Sequence, residues 1–314
     1  MAEPSGTKSA AGPAKGQERE EGAGSPPSAH VKARILAEAL PHLIDYDEKT
    51  VVIKFGGNAM GDTALADAFA KDIVYLKLSG INPIVVHGGG PQIAAMLKKL
   101  EIKSDFVQGL RVTDKPTVEV VEMVLAGLIN KEIVSAINRQ GGKAVGICGK
   151  DANLMIARRI TELPDPESNL MKAVDIGYVG DPEEVNPHIV EVISKSDLIP
   201  VIAPVGVSRD GQTLNINADS FASALAARMK AKRLLLLTDV AGVLDKQKNL
   251  IPDLDLEEAR ALIRRVEQAK WALEAHRSSH PRDSAVDFAH RVASARLFEI
   301  RPRRVLGEAF GQQA

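Results

Sequence analysis

The rhythm of apolar and polar positions changes several times along this chain. Ile35, Leu36, Leu40, Leu43 and Ile44 recur at helical spacing, which predicts an amphipathic helix over 31–44 that Pro41 kinks or splits. Uniformly apolar runs and amphipathic stretches then alternate. VVIKF (51–55) predicts a strand, and Leu65, Phe69, Ile73 and Leu76 mark a helix. PIVVH (83–87) predicts a strand, and PQIAAMLKKL (91–100) a helix with proline in its first turn. A long helix is expected from Pro116 to Gln140, then a short strand around KAVGI (143–147). A loop-rich middle with hairpin character follows. IPVIA (199–203), a helix from Asp219 and the strand RLLLLT (233–238) complete the series. Strands without polar alternation, separated by helices, predict an α/β fold with a mostly parallel sheet covered on both faces.

Composition narrows the function classes. Among 314 residues, Lys plus Arg (40) nearly balance Asp plus Glu (41), so no basic excess points to nucleic acid or a membrane surface. No apolar run approaches the roughly 18 residues of a membrane span. The single cysteine, Cys148, has no partner for an internal disulfide or a thiolate metal site, and a reducing, cytoplasmic compartment is expected. Residues 1–29 are rich in Gly, Pro, Ser, Ala and charge and hold no aromatic residue, so they are read as a disordered tail.

Three glycine-containing loops fall at strand ends, where ligands of such sheets sit. The first, KFGGNAMG, follows Lys54 with Gly56 and Gly57. The second, HGGGPQ (87–92), runs Gly88, Gly89 and Gly90 into a helix N-terminus. The third, TDVAGVLD (238–245), ends the most apolar strand. Glycines let backbone N–H groups approach an anion, and a helix dipole favours one. Singly, each loop reads equally as a tight connection and Lys54 as a solvated lysine; none matches GxxxxGK[ST] or GxGxxG. Together they point to a phosphate-handling site in which Lys54 meets a phosphoryl group. Two further residues carry two readings each: Arg111 as an anion ligand or a surface salt bridge, and Asp219 as a functional carboxylate or a helix N-cap. His87, beside the glycines, is read as structural.

The segments VVIKFGGNAM, NPIVVHGGGPQI, QGLRVTD, GKDANL, DIGYVGDPEEVNP, LNINADSFASALA and LLLLTDVAGVLD, across roughly 35–263, resemble the N-acetylglutamate kinases of the amino-acid kinase family. That resemblance implies a three-layer α/β/α sandwich and transfer of a phosphoryl group from ATP with Mg2+ to the γ-carboxylate of N-acetyl-L-glutamate, in arginine biosynthesis. It implies an acylglutamate-binding N-terminal lobe over 30–205 and a nucleotide-binding C-terminal lobe over 206–314. Lys54 would neutralise the transferring phosphoryl group, with Gly56 and Gly57 contacting phosphate. Gly88 and Gly89 would hold acylglutamate and phosphoryl, Arg111 the α-carboxylate, and Asn215 the substrate. Asp219 would orient the catalytic lysines. Asp239, Val240, Ala241, Gly242, Val243 and Leu244 would line the nucleotide site, with no metal ligand from protein side chains. Helix 31–44 resembles the extra helix that joins dimers into hexamers in arginine-sensitive relatives, against the alternative of packing on its own subunit. The resemblance also brings arginine as an effector and the nitrogen-signalling protein PII as a partner.

The chain departs from this pattern after about residue 263. Relatives carry a segment resembling GTISGGMIPKV, whose lysine is the second phosphoryl-stabilising cation. Here no glycine stands between Gly242 and Gly307, and Leu256, Ala259, Ile263, Val266 and Leu273 predict one amphipathic helix. Lys270 is the candidate for the displaced lysine, against the alternative of a snorkelling side chain. Two other functions therefore stand beside an active kinase: an impaired relative that binds acylglutamate or serves as an assembly subunit, and a kinase acting on carbamate or glutamate.

Overall fold

The computed structural model describes residues 28–56, 60, 63–164, 170–237, 242–245, 247, 249–255 and 257–262. It divides at His42 into a short first unit and a second unit from Leu43 onward. The Ser28 hydroxyl accepts from the Val31 N–H at 3.3 Å and opens helix α1 (Ala29–Tyr46). The helix continues through Pro41, so the expected split does not occur. Proline removes a single N–H from the ladder, and the turns on either side hold without it.

The second unit runs β1 (Thr50–Phe55), α2 (Thr63–Leu78), β2 (Asn82–His87), α3 (Gly90–Lys99), β3 (Phe106–Val107), β4 (Leu110–Arg111) and α4 (Lys115–Glu122). A π-helical segment (Met123–Ile129) leads into α5 (Asn130–Arg139), β5 (Ala144–Cys148), β6 (Met155–Arg159), β7 (Glu162–Pro164), β8 (Met171–Ala173) and β9 (Val179–Val185). Then come α6 (His188–Lys195), β10 (Ile199–Ala203), β11 (Val205–Val207), β12 (Thr213–Ile216), α7 (Ala218–Arg228) and β13 (Arg233–Leu236). Residues 257–262 are helical; the rest of the helix expected after 263, Lys270 included, lies outside the described residues.

Five strands form one parallel sheet in the order β13-β1-β2-β10-β5. Alternation of side chains about the strands splits the core into two layers. Val51, Ile53 and Phe55 pack with Phe69, Ile73, Val121, Leu125 and Ile137 on one face. Val52, Ile84 and Val86 pack with Val190, Phe221, Ala222 and Leu225 on the other. The result is the expected α/β/α sandwich. The loop-rich middle holds the expected hairpin pairings, β6 with β9 and β7 with β8. It also holds what periodicity does not announce: β11, β12, β9 and β6 close on themselves beyond the carboxyl ends of β5 and β10.

The long helix expected over 116–140 is not uniform. Its middle seven residues, Met123–Ile129, adopt π spacing. Such segments are rare and recur at functional sites. Here Leu125 and Ile129 press against the second glycine loop: a Cβ added at Gly89 would lie 2.6 Å from Leu125 Cδ2.

Candidate active site

Strand register sets the first pair of groups. Lys54 lies opposite Leu236 and Val86, and Phe55 opposite His87, at the carboxyl edge of the sheet's central strands. The Lys54 side chain is only 15% exposed, and its Nζ meets Asp219 Oδ1 at 3.1 Å. The solvated-lysine reading of Lys54 is therefore set aside. An ammonium so nearly buried needs an anion, and the carboxylate from α7 supplies it. Gly56 makes room for this lysine: a Cβ there would stand 3.1 Å from Lys54 Cε and 3.2 Å from Nζ.

Asp219 is free for this role because it is not the cap of α7. Asn217 is, its side chain accepting from the N–H groups of Asp219 (2.9 Å) and Ser220 (3.1 Å). This corrects the N-cap reading of Asp219. In the first turn its own N–H is satisfied by Asn217, and its carboxylate turns outward to the lysine.

The second glycine loop is tied directly to the first. Gly88 N–H donates to the Phe55 carbonyl at 2.8 Å. Gly89 caps α3, and proline follows in its first turn. On the far side of this loop the Arg111 guanidinium donates through Nη2 to the Gly90 carbonyl at 3.1 Å and through Nη1 to the Ser104 hydroxyl. Its carbon lies 4.5 Å from the centre of the Phe106 ring. Arg111 is 7% exposed, and burial pulls its pKa below the usual arginine value. Among the described residues no carboxylate lies within ion-pair distance of it, so the surface salt bridge is not formed. A buried guanidinium without an acidic partner suits an incoming carboxylate.

Thr113 links Arg111 to Asn215, and motif reading did not single it out. Its hydroxyl donates to the Arg111 carbonyl at 2.7 Å and accepts from Asn215 Nδ2 at 3.3 Å. Asn215 sits on β12 opposite Val205 and Val179, inside the small closed sheet. Only GLRVTD taken as a unit could have pointed to this threonine. Asp219 pairs with Lys54, the Phe55 carbonyl ties the first glycine loop to Gly88, and, two residues on, Gly90 leads through Arg111 and Thr113 to Asn215.

The third loop is partly described. Gly242 has φ 144°, a backbone state that favours glycine. Leu244 bridges Leu250, and Val243 accepts from Ile251 N–H at 2.8 Å. Gly57, Asp239, Val240, Ala241 and Lys270 lie outside the described residues.

His87 is fully buried, as its structural reading requires. Desolvation holds its imidazole at a pKa of about 4, so it is neutral at neutral pH. Its Nδ1 is 2.9 Å from the Gly88 carbonyl and its Nε2 3.3 Å from Asn130 Nδ2.

Comparison with known proteins identifies the family. The model of the amino acid kinase family matches residues 49–291. The acetylglutamate kinase of Parvibaculum lavamentivorans is 63% identical over 234 residues, covering 74% of this chain and 77% of that protein. The acetylglutamate kinase of Methylobacterium nodulans is 60% identical, covering 76% and 78%. Among solved structures, N-acetylglutamate synthase from Neisseria gonorrhoeae superposes with a TM-score of 0.64 at 20% identity, over 86% of this chain but 56% of that one, and shows a shared fold. The chain belongs to the amino acid kinase family and, within it, to the acetylglutamate kinases.

Proposed function

We propose that this protein transfers the γ-phosphoryl group of ATP to the γ-carboxylate of N-acetyl-L-glutamate, giving N-acetylglutamyl 5-phosphate for arginine biosynthesis. The observation that carries the reading is a pair of sheltered cations flanking one glycine loop: Lys54, held by Asp219, and Arg111, which has no acidic partner among the described residues.

A carboxylate nucleophile is already ionised at neutral pH, so no general base is required. The protein's work is alignment and neutralisation of the charge that spreads over the transferring group. Arg111 grips the α-carboxylate with its remaining N–H groups, and Asn215 and Thr113 border the same substrate. The γ-carboxylate then lies towards Gly88 and Gly89, where the Gly89 N–H is the donor left to it, the Gly88 N–H being held by the Phe55 carbonyl. Lys54 neutralises the phosphoryl oxygens, Asp219 keeps its ammonium in place, and Gly56 and Gly57 approach the phosphates. The third loop, from Asp239 to Leu244, borders the nucleotide, and residues 206–314 form its lobe. Mg2+ would enter on the nucleotide's phosphates. Magnesium would there supply further positive charge to the phosphates.

Oligomerisation through α1, with Ile35, Leu36 and Leu40 exposed along it, belongs to the same proposal, as do a cytoplasmic location and arginine or PII as regulators. The impaired-relative reading rests on one specific feature, the missing glycines after Gly242. Hydroxylamine trapping of the acyl phosphate from MgATP and N-acetyl-L-glutamate separates the two. Turnover that disappears in Lys54→Ala supports the kinase. Acylglutamate binding that depends on Arg111, without turnover, supports the impaired relative and refutes the kinase.

A further inference from the structure

His87 ends β2 immediately before the glycine loop, and it is surrounded by groups that leave its ring one orientation. A carbonyl only accepts, so the 2.9 Å contact to Gly88 O requires that Nδ1 carry the proton. Nε2 is then an acceptor, and Asn130 Nδ2 meets it at 3.3 Å. The same amide nitrogen donates to the Val201 carbonyl at 2.9 Å, while Asn130 Oδ1 accepts from Lys131 Nζ at 3.0 Å. Lys131 is anchored in turn on the Gly146 carbonyl at 3.1 Å. Asn130 is fully buried. It is the first residue after the π segment, whose altered spacing ends on this side chain. Room for it is reserved across the sheet, since a Cβ on Gly146 would overlap Asn130 Oδ1.

We infer that His87 and Asn130 are positioning residues for phosphoryl transfer: they set the orientation of the Gly88–Gly89 peptide. The inference rests on the kinase reading above. The peptide is planar and trans, so its N–H points opposite to its C=O. With the Gly88 carbonyl held toward the buried imidazole, the Gly89 N–H is turned away from the core, toward the substrate side of the loop. Leu125 and Ile129 fill the space where a Cβ on Gly89 would stand, and the His87 contact holds the peptide's carbonyl on the core side. The donor is in place before charge develops, which is when a preorganised N–H contributes most. Asn130 acts one step further back. By donating to Nε2 it excludes the tautomer that would face Gly88 O with a lone pair.

Two substitutions separate positioning from packing. In His87→Asn the side-chain NH2 takes the place of Nδ1–H but leaves a larger gap and removes the Nε2 acceptor that Asn130 Nδ2 meets. In His87→Gln the volume and the Asn130 contact are nearer the original, but the donor to Gly88 O is gone. Positioning predicts that the ranks cross: the Gln variant melts higher, yet its kcat falls about ten- to a hundredfold with a much smaller change in KM, while the Asn variant keeps kcat within about threefold. If activity instead follows stability, with the Gln variant the better enzyme, the proposal is overturned. The wild-type chain gives an independent check. Long-range 1H–15N spectra at neutral pH should show His87 as the Nδ1–H tautomer, and the Nε2–H tautomer overturns the proposal even if neither variant folds. Absence of wild-type turnover counts against the kinase reading alone. Positioning is then decided by that tautomer and by the Gly89 amide resonance, which should move in the Gln variant and stay in the Asn variant.

Discussion

Arg111→Lys keeps a positive charge and changes only the number and geometry of donors. The guanidinium has five N–H groups in a rigid fork. One meets Ser104 and one meets Gly90 O, leaving three for a ligand, enough to engage both oxygens of a carboxylate. An ammonium has three donors; satisfying the same two protein acceptors leaves one. The variant therefore loses about one charge-assisted hydrogen bond to the substrate, roughly 1.5–3 kcal/mol, which is about a ten- to 150-fold weaker Kd. It also loses the flat face over Phe106, a stabilising contact of about 0.5–2 kcal/mol present with or without ligand. Calorimetric titration with N-acetyl-L-glutamate reads the affinity directly and does not depend on turnover, and thermal unfolding reads the stability. A Kd within about threefold of wild type in a folded Arg111→Lys protein would refute the assignment of Arg111 to the α-carboxylate.

Lys54→Ala removes the cation aimed at the transferring group and should lower kcat by about 10²- to 10³-fold with little change in acylglutamate affinity; single-turnover acyl phosphate formation checks it, and an unchanged kcat refutes it. Asn217→Ala leaves two N–H groups of α7 without their acceptor and should cost about 1 kcal/mol, a melting shift of about 2–4 °C, with a further loss of activity because Asp219 shifts with the helix start. The pH dependence follows from His87. Its folded pKa of about 4 lies below the ordinary 6.5, so the unfolded chain binds the extra proton first. Stability should thus be full above about pH 6.5 and fall as pH drops towards 4. Denaturant unfolding between pH 5 and 7 tests this, and a His87→Asn protein should show a shallower slope.

The patterns that reached the structure intact are local ones. Apolar runs such as VVIKF and IPVIA became buried parallel strands, because strands covered on both faces have no polar side to display. Glycine clusters marked loops at strand ends because close approach leaves little room for a Cβ, as at Gly56, where it would crowd the Lys54 side chain. GLRVTD and NINAD drew attention to Arg111, Asn215 and Asp219 through resemblance, not through any local signal of charge or burial.

What the chain's order could not disclose are partnerships between distant residues. Lys54 and Asp219 are 165 positions apart, and only the packing of α7 against the sheet brings them to 3.1 Å. Asn217 rather than Asp219 caps α7, since the cap is chosen by where the backbone leaves β12. The seven π-helical residues read as ordinary helix because the run MVLAGLI is apolar at most positions and shows no period that would tell a wider turn from an α-helical one. His87 gave no hint of its partner, 43 residues further on. By itself, then, the sequence determined the element types, the sheet class and the loops able to approach an anion, all set by side-chain periodicity and backbone permissiveness. Tertiary structure decided which cation meets which carboxylate and which peptide is held still. Those outcomes depend on burial and distance between residues far apart in the chain.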